Sequence, residues 1–357
     1  MAVYNGHVLL TGANGFIASQ ILSILLDRGF AVTATVRSIE KADAIVKTHP
    51  SWEGKVDFVE VADLASAASF DSIFVNAKVP FEYVIHTACP VAVDPDNIQK
   101  GMIEPAVMGT TAILESAHHH GKALKRFILL SSVTAVFNPF QDMTQKGRPY
   151  TEKDWNPATA QDATEAKDPM LGYYVSKAQG EAAAWEFIRA NSPSFDLVAI
   201  NPDLTTGPML HPLSGAESIN GSNYLLVAAF LNGTYSDIGA TRFPLYHFVD
   251  VRDVARSHVD ALTNPAAGGQ RILLTNSLVT PQLVANITRK NFPDLRDRVA
   301  EGNPTQILPD GVHPTRWDAR ASLDILAKGT KEKEWRYIDL EASVVDTVRS
   351  MTENNLI

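Results

Sequence analysis

The chain has one cysteine, Cys89, in 357 residues. That excludes an internal disulfide and suits a reducing compartment. It has no excess of positive charge: 31 Lys and Arg stand against 40 Asp and Glu, a formal charge of −9. Bulk attraction to nucleic acid or to acidic lipid is therefore not expected. No apolar run is long enough to span a bilayer. No basic n-region with a long apolar core precedes the strand-like run at His7–Thr11, so the expected location is the cytoplasm, away from any membrane. Internal repeats, low-complexity tracts and linkers are also missing. His118, His119 and His120 are consecutive on a helical stretch and point in different directions, so no metal site is expected there.

What is present begins with a strand, a glycine turn and a helix. Val8–Thr11 is apolar, Gly12-Ala-Asn-Gly15-Phe-Ile-Ala18 follows, and Ile17, Ile21, Leu22 and Leu25 repeat at helical spacing. This is the setting a dinucleotide fingerprint requires. Gly12 allows the sharp turn, Gly15 lets backbone approach a pyrophosphate, and Ala18 lets the helix pack close to the strand. The helix N-terminus offers free N–H groups to the phosphates. Thr11, Asn14, Phe16 and Ile17 belong to the same turn and are expected to line it.

The second strand, Ala31–Val36, ends without the carboxylate that would hold a free ribose diol. Arg37, Ser38 and Lys41 stand there instead, and two cations around a hydroxyl suit a 2′-phosphate. NADPH is the expected cofactor. Further strands read at 56–61, 83–88, 127–132 and 197–202, with helical patterns near 40–47, 66–77, 105–120 and 171–190. Such alternation indicates an α/β protein with a doubly wound parallel sheet, whose functional residues gather at the carboxyl ends of the strands. Thr11, Arg37, Asp63, Thr87, Ser132 and Pro202 all fall there.

The chemistry is concentrated in Leu171-Gly-Tyr-Tyr-Val-Ser-Lys177, where Tyr173 and Lys177 share a helix face. An ammonium held beside a phenol favours the phenolate, which equips the tyrosine to exchange a proton with a carbonyl oxygen. Tyr174 is also within helical reach of Lys177. Ser131 and Ser132 point to opposite sides of their strand, so only one can face a cofactor.

Together, Thr11-Gly-x-x-Gly-x-x-Ala18, Ser132 and Tyr173-x-x-x-Lys177 resemble the extended short-chain dehydrogenase/reductase pattern. Arg37 with Lys41, His86-Thr-Ala88, Asn201-Pro202 and Val249-Asp-Val-Arg-Asp-Val254 resemble its dihydroflavonol reductase-like branch. Asp154-Trp-Asn-Pro157 looks most like the yeast and fungal aldehyde, ketone and methylglyoxal reductases. The resemblance implies a Rossmann sheet with a smaller, interleaved C-terminal substrate-binding lobe. It implies that residues 1–202, joined by 245–265, bind NADPH, and that 203–357 mainly form the substrate lobe.

It also implies roles. Tyr173 donates the proton, Ser132 orients the carbonyl oxygen, and Lys177 holds the nicotinamide ribose. Asp63 and Leu64 flank the adenine, and Thr87 and Ala88 the cofactor's middle. Pro202 and Leu204 lie near the nicotinamide, and Ser222 reaches in from the second lobe. Val91, Val133, Phe137 and Tyr224 line the substrate pocket, with Val93, Phe140 and Met209 as further walls. The segment Pro105–Gly109 carries Met108 where many such enzymes place a relay asparagine, so a relay here would need water or backbone. The function expected is NADPH-dependent reduction of small, mostly apolar aldehydes, ketones and keto esters by a monomer or homodimer. A nucleotide-sugar epimerase or dehydratase, or a non-catalytic NADP sensor, are the alternatives.

Overall fold

The structure is a computed structural model and describes residues 4–89, 97–142, 147–329 and 334–357. Seven parallel strands run β1 (His7–Thr11), β2 (Ala31–Val36), β3 (Val56–Glu60), β4 (Tyr83–His86), β5 (Arg126–Leu130), β6 (Asp196–Pro202) and, after two short strands, β9 (Arg271–Leu274). Their order is β3-β2-β1-β4-β5-β6-β9. The central strands β1, β4 and β6 are buried almost throughout, as a sheet covered on both faces requires. The order reverses between β1 and β4, which opens the crevice at the carboxyl ends where a nucleotide fits.

Alternate residues of each strand face opposite layers. Val8, Leu10 and Ile85 pack with helix α1 (Phe16–Asp27) and with a helix from much later in the chain. Leu9, Val84 and Phe127 instead pack with Phe70 and Ile113. The helices of that second face are α3 (Ala67–Val75), α4 (Glu104–His120) and α5 (Pro169–Asn191), and α2 (Ile39–Thr48) follows β2. The returning helix on the first face is α6 (Val251–Thr263), and Arg28, at the C-terminal cap of α1, pairs with Asp260 on it at 2.5 Å.

A second core lies beyond the sheet. Leu226, Phe230, Phe243, Phe248, Val344 and Met351 form it, with α7 (Pro281–Asn291) and the C-terminal α9 (Leu340–Glu353) against it; α8 (Arg320–Gly329) lies between them in sequence. Two features depart from the sequence reading. Segment 245–265, expected to join residues 1–202, opens with β8 (Phe248–Asp250), which pairs with β7 (Leu204–Thr206) in a separate two-stranded sheet. β9, which lies beyond residue 202, is the seventh strand of the main sheet, beside β6. A three-residue strand shows too little periodicity to reveal its partner.

Asp250 caps α6 by accepting from the Arg252 N–H at 2.8 Å, and Arg252 reaches Asp346 on α9 at 2.8 Å. Asp253 accepts from the Ile338 amide at 2.8 Å. Burial pushes the Asp253 carboxyl up to about 6. These residues join the helix of one core to the tail of the other. Among the described residues, no helix is long and apolar enough to cross a membrane.

Candidate active site

At the switch point the chain folds into a groove of about 400 Å³. Gly12, Asn14 and Gly15 form its floor, Arg37 and Lys41 stand at one end, and Leu64, Thr87, Ala88 and Cys89 continue it. Gly12 has φ +71°, and a Cβ there would lie 3.1 Å from the Ala88 Cα, so only glycine lets the two strand ends approach. The Thr11 hydroxyl accepts from the amides of Thr87 and Ala88, both at 3.1 Å, and meets His86 Nδ1 at 2.9 Å. Burial, reinforced by the charge of Lys177, pushes His86 down to about 3, so the ring is neutral. It serves as a core hydrogen-bonding partner. Arg37 and Lys41 are both solvent-exposed, free to meet a phosphate.

The groove therefore suits a dinucleotide: glycines where a Cβ would fill the cradle, a helix N-terminus at the floor, and cations at the ribose end. Thr35, Val36 and Val61 line it too, and sequence reasoning missed them as liners. Only alternation along β2 hinted at Thr35, whose hydroxyl accepts from the Gly12 amide at 3.3 Å. Asp63 uses its carboxylate to accept from the Ala65 amide at 2.9 Å, while Leu64 faces the groove. Phe16 and Ile17 turn to packing: Phe16 meets the His211 ring edge-on at 5.8 Å, and Ile17 joins the first core.

Beyond Ala88 and Cys89, a smaller cavity is bordered by Lys177 of α5. Asp168 caps that helix, accepting from Met170 at 2.8 Å and Leu171 at 3.3 Å, and Pro169 fits its first turn. A Cβ on Gly172 would come 2.6 Å from Ile98 Cγ2, so the glycine lets α5 seat against the segment before α4. Tyr173 is half-buried, and the Lys177 ammonium lies 5.7 Å from its ring centroid. Burial works against the charge on Lys177, but Cys89 and Tyr173 outweigh it and hold its pKa above the ordinary lysine value. Tyr174 is buried against Phe140, with ring centroids 5.6 Å apart, and burial raises its phenol pKa well above normal.

The two serines are turned apart. Ser131 donates to Glu181 Oε2 at 2.6 Å. Ser132 Oγ accepts from both the amide and the hydroxyl of Thr134, at 3.2 and 3.0 Å, so its own proton is available to another acceptor. Nothing in the order of residues signalled Thr134. Pro202 ends β6, and Leu204 packs beside Val133 and Phe137.

Part of the expected substrate wall is elsewhere. Val133 and Phe137 are completely buried, with Phe137 packed against Tyr150 and Trp317, so neither presents surface to a ligand. Apolar residues after a strand end pack inward as readily as they line a pocket, and sequence does not separate the two. Met209 is buried in the second core. Tyr224 is exposed, and its hydroxyl meets Thr234 at 3.3 Å. Ser222 donates to the Thr205 carbonyl at 2.5 Å, which joins its helical turn to β7. Val91 and Val93 lie outside the described residues.

Residues 8–274 match the NAD dependent epimerase/dehydratase family, and the chain belongs to it, as an extended short-chain dehydrogenase/reductase. It is 31% identical to the NADPH-dependent methylglyoxal reductase of Saccharomyces cerevisiae, over 95% of this chain and 96% of that one. It is 32% identical to a ketoreductase of Aspergillus niger, over 97% of each. The solved structure of yeast methylglyoxal/isovaleraldehyde reductase with NADPH superposes with a TM-score of 0.84 at 28% identity, covering 98% of this chain and all of that one.

Proposed function

We propose that this chain reduces aldehydes and ketones to alcohols with NADPH, using Tyr173, Ser132 and Lys177. The observation that carries the reading is the continuity of the site: Ala88 and Cys89 line the cofactor groove and also a neighbouring small cavity that Lys177 borders. Bound NADPH supplies the hydride. Tyr173 gives its proton to the carbonyl oxygen, and the available Ser132 proton hydrogen-bonds the same oxygen and fixes its direction. The Lys177 ammonium stabilises the phenolate left behind and holds the cofactor ribose. Arg37 and Lys41 take the 2′-phosphate, and Leu64, Thr87, Ala88, Pro202 and Leu204 flank the cofactor along its length.

The substrates are small, mostly apolar carbonyl compounds, including keto esters, since Phe140 offers exposed aromatic surface beside Tyr174 and Tyr224 offers it on the second lobe. Residues 1–202, with 245–265 and the β9 strand, form the cofactor-binding part, and the rest of 203–357 forms the substrate part. The enzyme works in the cytoplasm as a monomer or homodimer. The epimerase alternative is not favoured, because the groove ends in cations that suit NADPH and the relatives are named as reductases. The test is NADPH oxidation, followed by absorbance, against a panel of aldehydes, ketones and keto esters. Turnover with NADPH and little with NADH is expected; no turnover with either cofactor across the panel would refute the reading.

A further inference from the structure

Beneath the site lies a buried ion pair that the proposed chemistry does not use. Glu181 is on α5, one turn beyond Lys177 and two beyond Tyr173, and its side chain has no exposed surface. Its carboxylate accepts from Ser131 Oγ at 2.6 Å, Asn201 Nδ2 at 2.7 Å, Trp185 Nε1 at 3.1 Å and Arg271 Nε at 2.5 Å. Arg271 comes from β9, at the far edge of the sheet, and is itself buried.

All five N–H donors of Arg271 are used. Besides Glu181, they reach the carbonyls of Glu152 at 2.8 Å, Asp154 at 2.5 Å and Ala135 at 3.4 Å. The guanidinium also lies 3.9 Å from the Trp155 ring centroid. The segment so gripped holds the serine turn: the Asn156 side chain donates to the Thr134 carbonyl at 2.7 Å, and its amide donates to the Ala135 carbonyl at 3.0 Å. Asn201 completes the circuit, giving its amide group to the Ser132 carbonyl at 3.0 Å as well as to Glu181.

We propose that Glu181 and Arg271 are positioning residues, a clamp that sets the Ser132 turn against the Tyr173–Lys177 helix. The pair touches the Ser131 hydroxyl on one side of Ser132 and the Ala135 carbonyl on the other, and Glu181 belongs to the helix that carries the tyrosine. A buried ion pair is a poor source of net stability, since desolvation offsets most of its attraction. Its value lies in geometry, because a planar fork with five donors fixes several carbonyls at once, which a lysine cannot do.

The inference rests on the catalytic roles given to Tyr173 and Ser132. Three variants of the full chain test it: Arg271→Lys, the apolar pair Glu181→Leu with Arg271→Met, and Tyr173→Phe. Each is measured for kcat at saturating NADPH, for NADPH Kd by tryptophan fluorescence, and for Tm. The apolar pair is expected to lower Tm, since it strips the Ser131, Asn201 and Trp185 donors and three backbone carbonyls of their partners, and to lower kcat of the folded protein about 100-fold, as displacement of a reacting group by about 1 Å does. Arg271→Lys, which keeps the charge and loses the fork, is expected to lose about tenfold in kcat with NADPH Kd changed less than about threefold. Arg271→Lys decides the matter if the apolar pair does not fold. Parental kcat in either folded variant, or a loss of kcat matched by weaker NADPH binding, overturns the clamp. Full activity in Tyr173→Phe instead overturns the catalytic reading on which it stands.

Discussion

The two ends of the site are built by opposite means. At the phosphate end, the parts are glycines, backbone amides and two exposed cations, all within residues 11–41 and joined by the Thr11 hydroxyl to Thr87 and Ala88. At the chemical end, the parts are buried side chains from β5, α5, β6 and β9, brought together by Glu181, Asn201 and Arg271. The first end relies on local conformation, and a single substitution there should alter affinity. The second relies on long-range hydrogen bonds, and substitutions there should alter turnover.

The comparison is broken most easily at Tyr173. Tyr173→Phe removes the proposed proton donor and should lower kcat by about 10²- to 10⁴-fold while NADPH Kd stays within about threefold. Tyr174→Phe should leave both nearly unchanged, because that phenol is buried against Phe140. Reversed results, read by steady-state NADPH oxidation, would shift the register by one residue.

At the opposite end, Arg37→Ala should raise the NADPH KM about 10- to 100-fold, the worth of charge-assisted bonds of about 1.5–3 kcal/mol, and leave the NADH KM almost untouched. Equal effects on the two cofactors would end the 2′-phosphate assignment. A smaller effect is expected at Thr134. Thr134→Val removes one of the two donors to Ser132 Oγ and should lower kcat about tenfold at constant NADPH Kd, with Thr134→Ser restoring it. Failure of serine to restore turnover would show that the hydroxyl is not what matters.

A control lies outside both ends. His258 on α6 is fully buried, its Nδ1–H donates to the Val254 carbonyl at 2.7 Å, and burial pushes its pKa down to about 4. Its folded pKa lies below the unfolded value of about 6.5, so the unfolded chain takes up the proton first. The stability it contributes is present above about pH 6.5 and is lost as pH falls toward 4. Against His258→Leu, the parent should lose up to about 1.4 kcal/mol per pH unit in that window, measured by denaturant unfolding. A constant difference between the two proteins across pH would contradict a neutral buried ring. Activity at pH 7 should hardly change.

The same contrast explains how much could be read in advance. The meeting of Gly12, Gly15, Arg37 and Lys41 in one groove was legible because they lie close to one another in the chain, on the ends of neighbouring strands. The nearness of Tyr173 to Lys177 was legible because helical spacing alone puts them on one face. Val133 and Phe137 were not, since an apolar residue after a strand carries no mark that tells a pocket wall from the core behind it. Their place was decided by Tyr150 and Trp317, which arrive from distant segments.

The sequence by itself determined the α/β alternation, the strand–turn–helix cradle, the two cations after β2 and the tyrosine–lysine helix. Each depends on residues within a turn or two of one another, where steric and electrostatic effects need no partner from elsewhere. Only the tertiary structure decided which serine keeps a free proton, that β9 closes the sheet beside β6, and that Glu181 meets Arg271 ninety residues away. Those outcomes depend on burial. A hydroxyl or guanidinium takes its partner from whatever the folded core places beside it, and a buried polar group must find one.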